Sequence, residues 1–171
     1  MSYEGEILDS CGILDLDFSR VHVIAVSGSG PNFCGHLLLH VDSHGGYYFH
    51  VATGDQALGL RGYPRYMNEQ GYKRYLKENG KTELKRLPLT LPNPTGALLH
   101  MEELLSKRWT WGVLPNNCVA FVEEIIAAGG GAWASASNCP TVATAPTLSH
   151  RVQEFIMRVE SEIYRQYGVP R

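Results

Sequence analysis

The sequence predicts an α+β fold in which a small antiparallel sheet packs against helices. Two apolar runs flank a Ser-His-Gly-Gly turn, GHLLLHVD at 35–42 and YYFHVATG at 47–54, and together they have the composition of an antiparallel hairpin. The segment LPNNCVAFVEEIIAAGGG at 114–131 carries apolar residues at helical spacing and ends in a glycine run that stops a helix. Strands and helices are therefore mixed along one chain.

Other segments complete the predicted order of elements. The β-branched run VHVIAVS at 21–27 predicts a buried strand. The polar, tyrosine-containing segment 64–80 predicts a helix or a helical loop over the surface. Alternation at 82–91 predicts a strand, and Pro88 favours an edge position for it. Apolar residues at helical spacing predict a helix at 93–109.

Length and composition favour one globular domain. The 171 residues are 44% hydrophobic and 19% charged, which is enough for a hydrophobic core and too apolar for a disordered chain. We expect a single domain over 1–171, with a core at about 20–130 and a C-terminal helical extension at 147–168. The net charge of −2 offers no phosphate-binding surface, so nucleic acid is not an expected partner.

The N-terminal sequence and the hydropathy pattern bear on localisation. No apolar run approaches the ~20 residues that span a bilayer, so we expect no stable membrane insertion. The acidic start MSYEGEILDSCGILDLDF lacks the basic and apolar regions of a Sec-type signal. We expect synthesis in the cytoplasm and, for any export, a route that reads no such signal.

Cys118 is the leading candidate nucleophile because it stands at the start of the clearest predicted helix. It follows Pro115, Asn116 and Asn117, and either asparagine can cap the helix. The free N–H groups and the dipole of a helix N-terminus stabilise a thiolate, which predicts a lowered thiol pKa. The same N–H groups can hold the oxyanion of acyl transfer. We expect the sulfur at the loop mouth, outside the buried stripe of Phe121, Val122, Ile125 and Ile126.

The other cysteines have weaker contexts. Cys11 and Cys139 lie in loop-like segments without a nearby base. Cys34 stands two residues before His36 and therefore shares a strand face with it, where it can line the site without acting as nucleophile. The plain alternative for Cys118 is a small core residue at a helix start.

Histidines are concentrated in the predicted hairpin and supply candidate bases. His36 and His40 share one strand face with Leu38, while Leu37, Leu39 and Val41 share the face that we expect to meet the core. His36 and His50 on paired strands can present two imidazoles to one cleft, one as general base for the thiol and one orienting it. The alternative for each is a half-buried sheet histidine bonded to backbone.

A zinc site is a second alternative for the same histidines. His36, His40, His50 and Cys34 include suitable ligand types, but their spacing matches no common zinc motif. We therefore expect no metal and no other cofactor.

The order of the motifs GHLLLHV, GGYYFHVA and NNCVAFVEEI resembles the circularly permuted branch of the NlpC-type papain-like superfamily. That branch includes lecithin retinol acyltransferase-like proteins and bacterial peptidoglycan amidases, and the resemblance covers about residues 20–130. It implies a permuted papain-like fold with Cys118 as nucleophile, His36 as base and His50 as the orienting residue. Further candidates for the oxyanion site or the cleft are Asn117, Ser27 of the SGSG loop, Cys34 and Tyr48.

The substrate expectation follows from the resemblance. Leu37 stands where the acyltransferases commonly have an aromatic residue, and Val119 and Ala120 stand where they often have a Glu-His pair. These departures favour a hydrolase of peptidoglycan peptides, of the kind that contact-dependent (type VI) secretion delivers into rival bacteria as a toxin, with a cognate immunity protein in the producer. The alternatives are a cysteine hydrolase on other proteins, a thioesterase or acyltransferase on lipids, and a non-catalytic or zinc-binding module.

Overall fold

The computed structural model describes residues 2–8, 16–28, 35–43, 45–53, 61–106, 109–110 and 118–131. Within these ranges, three helices pack on one antiparallel sheet of seven strands, and the predicted α+β fold is confirmed. None of the helices in these ranges is long and apolar enough to cross a membrane. The helical extension predicted at 147–168 falls outside the described residues.

The sheet is a mixture of local hairpins and distant pairings. Its strands are β1 (Glu6–Ile7), β2 (Arg20–Val26), β3 (His36–Val41), β4 (Tyr47–Thr53), β5 (Arg61–Asn68), β6 (Glu83–Thr90) and β7 (Trp109–Thr110). The helices are α1 (Glu69–Glu78), α2 (Pro94–Ser106) and α3 (Cys118–Ala128). The strand order is β1-β5-β4-β3-β2-β6, and β7 also pairs with β5. The predicted hairpin, β3 with β4, therefore lies at the centre of the sheet.

Most predicted elements are confirmed to within a few residues at their ends. The strands predicted at 21–27, 35–42, 47–54 and 82–91 correspond to β2, β3, β4 and β6, and the helices at 93–109 and 114–131 correspond to α2 and α3. β6 ends the strand order, which agrees with the edge position that Pro88 indicates.

The prediction of a helix or helical loop over all of 64–80 is wrong in its first part. β5 runs through Arg61–Asn68, and α1 begins only at Glu69. β5 is paired with β4 on one side and with β1 on the other, so tertiary pairing decides a segment whose own pattern is weak. The Asn68 side chain then caps α1 by accepting the Gly71 N–H at 2.9 Å.

Both faces of the central sheet are covered, which the sequence did not predict. The face of Leu37, Leu39 and Val41 packs with α2 and α3 in one apolar cluster, as expected. The opposite face packs against α1, where Leu38 joins Tyr48, Tyr72 and Tyr75 in a second cluster. All six residues of β3 are consequently buried, His36 and His40 included.

Gly35 fixes the backbone at the point where β3 begins. Its φ is +82°, and a Cβ atom built on it would lie 2.4 Å from the Val26 carbonyl oxygen of the neighbouring strand. A side chain at this position would push β3 away from β2 immediately before His36.

Replacing Gly35 should therefore lower the free energy of unfolding by more than the strain of a positive φ alone would. Gly80 is the matched control, because its φ is +59° and no atom lies within 4 Å of its Cβ position. We expect Gly80→Ala to lower the free energy of unfolding by roughly 1–2 kcal/mol and Gly35→Ala by at least about 1–3 kcal/mol more. Urea unfolding of both variants measures the difference, and equal losses would contradict the close approach of β2 and β3 at this point.

Candidate active site

A chain of two hydrogen bonds links His36, His50 and the N-terminal segment. The His36 Nε2 atom lies 2.8 Å from His50 Nδ1, and His50 Nε2 lies 2.8 Å from the Glu4 carbonyl oxygen. Both imidazoles project to the face that α1 covers, and the His50 ring packs against Tyr75 with ring centroids 5.3 Å apart. The structure thus brings together the two histidines that the sequence singled out.

The Glu4 carbonyl sets the proton positions along this chain. A carbonyl oxygen only accepts, so His50 Nε2 carries a hydrogen. Burial lowers the pKa of His50 to about 4, against the opposing effect of the Glu4 carbonyl, so the ring is neutral at pH 7 and its Nδ1 has no hydrogen. His36 Nε2 must then donate to His50 Nδ1.

His36 is left with one unprotonated nitrogen. Burial, the neighbouring His50 and the charge of Lys81 together hold the pKa of His36 well below its ordinary value, so this ring is also neutral. Since its hydrogen is on Nε2, Nδ1 carries a lone pair and no hydrogen. His36 is therefore the Nε2–H tautomer in this hydrogen-bond chain.

Cys118, the first residue of α3, is buried in the apolar cluster rather than lying at a loop mouth. Its side chain is 7% exposed and packs with the Phe121 and Ile125 stripe that the sequence predicted. The expected position outside the stripe is wrong, because α3 packs against β3 and β4 and Cys118 belongs to the cluster between them. The contacts described for the sulfur are with the backbone N–H groups of Leu37, Cys118 and Val119.

The expected low thiol pKa is also wrong in this structure. Burial raises the pKa of Cys118, and the three N–H groups and the charge of Lys81 oppose it without reversing it. Favourable contacts at a helix N-terminus are worth about 0.3–1 kcal/mol, up to ~2 kcal/mol when partly buried. Removing a charge from water costs several kcal/mol. Cys118 is therefore a thiol at rest, as His36 is a neutral imidazole.

Cys118 belongs to the apolar cluster on the α2/α3 face of β3, whereas the His36 ring projects to the α1 face, and no hydrogen bond joins the two among those of the described residues. β2 pairs with β3 as far as His36, whereas the pairing of β3 with β4 stops at Leu39. β2 lies along one edge of β3. The Leu37 N–H contacts the Cys118 sulfur, and we infer that it points to the other edge, toward β4. The His36 ring also extends toward β4, where it meets His50. Leu37, whose N–H contacts the sulfur, thus directly follows His36 at the point where β3 and β4 separate.

The remaining hairpin histidines form a separate pair. His40 Nδ1 lies 3.3 Å from His22 Nδ1, and the His40 ring packs on Tyr48. Among the described residues, no group of three His, Cys, Asp or Glu side chains is arranged to hold a metal ion. The zinc alternative placed His36, His40 and His50 around one ion, whereas here His40 is bonded to a different partner from the other two.

The further predicted site residues have varied positions. Ser27 is tied to Thr82 through two hydrogen bonds of 2.9 Å, on the β6 side of β2. Tyr48 is 1% exposed and stacks on Tyr72 at 4.0 Å, so it belongs to the second apolar cluster. Cys34 and Asn117 lie outside the described residues.

Two contributors to this site are absent from the sequence prediction. Glu4 acts through its backbone carbonyl, which every residue possesses, so no pattern of side chains could indicate it. Lys81 follows an Asn-Gly turn at the end of α1 and has no motif around it, yet its charge acts on both histidines and on Cys118.

Searches of protein-family models, of curated proteins and of solved structures find no match to this chain.

The buried histidines should make the protein sensitive to mild acid. His40 and His50 have pKa values of about 4 in the folded state, against about 6.5 in an unfolded chain. Between these values the unfolded state binds more protons, so the free energy of unfolding falls as the pH falls through this window, by about 1.4 kcal/mol per pH unit for each such group. Below about pH 4 these two groups cause no further loss.

Urea unfolding from about pH 7.5 down to about pH 5 tests this expectation. The His50→Asn variant should show a shallower pH dependence than the wild type. If the free energy of unfolding changes with pH equally in the two proteins, His50 is not held neutral by its surroundings.

Proposed function

We propose that this chain is a cysteine hydrolase that cleaves an amide bond, with Cys118 as nucleophile, His36 as general base and His50 as the residue that orients His36. The observation that carries the proposal is the ordered hydrogen-bond chain from Glu4 through His50 to His36, which leaves His36 Nδ1 as a proton acceptor. The Cys118 sulfur adjoins the same segment of β3, because the N–H of Leu37, the residue after His36, contacts it.

The reaction proceeds by nucleophilic catalysis in two stages. His36 Nδ1 takes the thiol proton as the sulfur attacks the amide carbonyl carbon, and the tetrahedral intermediate collapses to a thioester while the imidazolium gives its proton to the leaving amine. A water molecule then loses a proton to His36 Nδ1 and attacks the thioester. The carboxylic acid leaves, and the proton returns to the sulfur.

The environment favours proton transfer during the attack over a preformed ion pair. Burial disfavours both the thiolate and the imidazolium, so the charged pair forms only as the carbonyl carbon is attacked. The hydrogen bond that His36 donates through Nε2 to His50 stabilises the imidazolium once it forms. The N–H groups at the start of α3 are the donors for the oxyanion, with Asn117 as a further predicted donor.

The substrate class comes from the order of the three motifs along the chain. Their resemblance to the permuted NlpC-type branch favours peptides of peptidoglycan as the substrate, and a role as an antibacterial toxin that a contact-dependent system delivers. A producing cell would then need an immunity protein that blocks the site. The formal net charge of the chain, −2, gives no reason to prefer nucleic acid.

Incubation with purified peptidoglycan, followed by mass spectrometry of the soluble fragments, tests the proposal. Wild-type protein should release new muropeptides, and Cys118→Ala should release none. Removal of the base in His36→Asn should slow release by about 10²–10⁴-fold. His22→Asn is the matched control, because it removes an imidazole from the same sheet that lies in the other histidine pair, and its rate should stay at the wild-type level.

Equal activity of the wild type and Cys118→Ala would exclude the thiol mechanism. Absence of fragments from the folded wild-type protein would remove peptidoglycan as the substrate.

A further inference from the structure

Lys81 is a partly buried cation at the same end of the sheet as His36. Its backbone N–H donates to the Leu76 carbonyl oxygen at 2.8 Å, which fixes the residue to the end of α1. Its ammonium group donates to the Ser27 carbonyl oxygen at 3.2 Å. Ser27 follows Val26, which is the strand partner of His36. The ammonium is therefore held at the point where β2 ends and β3 begins.

No carboxylate forms an ion pair with Lys81 within the part of the chain that the structure describes. A partly buried ammonium group with one carbonyl partner retains unused hydrogen-bonding capacity, since it has three donors. Burying a cation without a counter-ion is unfavourable, and such groups are usually paired. Hydrogen bonds to Ser27 and to the end of α1 therefore fix the Lys81 ammonium group in a place where it can still bind an anion.

The charge of Lys81 reaches the reactive groups. Burial is the largest influence on the pKa values of His36, His50 and Cys118, and the charge of Lys81 lowers all three. Glu4 is the acidic side chain that acts on Lys81 in return, but burial raises the pKa of the Glu4 carboxyl group, and no hydrogen bond joins the two side chains among those described.

We propose that the Lys81 ammonium group binds a carboxylate that the substrate carries beside the amide to be cleaved. The inference rests on the proposed cysteine hydrolase function and adds a charge requirement to it. An acyl substrate with a free carboxylate next to the scissile bond would gain an ion pair in a partly desolvated position, whereas its amidated counterpart would not.

Alkylation of Cys118 by two matched reagents tests this without any substrate. Iodoacetate carries a carboxylate and iodoacetamide is its neutral amide, and peptide mapping reports the rate at Cys118 alone. Lys81→Met removes the charge and nearly keeps the length of the side chain. It should lower the ratio of the iodoacetate rate to the iodoacetamide rate by about tenfold. A change in thiol pKa affects both reagents equally, so the ratio isolates attraction of the carboxylate.

The control variants are Lys81→Arg, which keeps the charge, and Lys85→Met, which removes an exposed lysine on β6. Both should keep the wild-type ratio, and about 1 M salt should shrink the difference between the wild type and Lys81→Met. An unchanged ratio in a folded Lys81→Met variant would overturn the carboxylate site while leaving the thiol chemistry in place. Failure of both reagents to modify Cys118 in the folded wild type would overturn the proposed function and this inference with it.

Muropeptides with free and with chemically amidated carboxylates supply the corresponding substrate test. Lys81→Met should raise the KM of the free form about tenfold more than that of the amidated form, whereas the loss of its charge from the reactive groups should change the kcat of both forms alike. An equal fall in kcat/KM for the free and the amidated muropeptides would mean that Lys81 positions the site and does not bind a carboxylate.

Discussion

A buried hydrogen-bond chain that ends on a backbone carbonyl determines the chemistry of this site. His50 is 0% exposed, so its two ring nitrogens need partners inside the protein, and they find them in the Glu4 carbonyl and in His36. Because the carbonyl can only accept, each proton along the chain has one allowed position. The Glu4 position depends in turn on α1, since the Asn79 side chain donates to the Tyr3 carbonyl. The short N-terminal segment is thus part of the site.

The separation of β3 from β4 explains why the sulfur lies where it does. Pairing ends at Leu39, and the freed Leu37 N–H joins the first N–H groups of α3 around the Cys118 sulfur. These donors favour a thiolate, but burial outweighs them in the resting protein. The same burial keeps His36 neutral, with an unprotonated Nδ1, although the lowered pKa also makes this nitrogen a weaker base. Burial thus suppresses the ion pair and preserves the acceptor that the proposed reaction needs.

Periodicity was sufficient for the elements that bury one clear face. The stripe on α3 and the alternation in β3 predicted their elements and the face that each of them buries. The pattern failed for β5, whose strand character comes from partners on both sides, and it could not show that α1 covers the histidine face. The sequence placed His36 beside His50 through strand alternation. It could not give the sign of the thiol pKa shift, because that depends on burial by distant segments, nor could it indicate the Glu4 carbonyl.

The nitrogen resonances of the histidine side chains at about pH 7 test the proton order most directly. With ¹⁵N-labelled protein, and with His36→Asn and His50→Asn variants for assignment, both rings should be neutral and protonated at Nε2, with a bare Nδ1 on His36. A His36 ring that carries its hydrogen on Nδ1, or on both nitrogens, would contradict the account. The base assigned to Cys118 would then be absent.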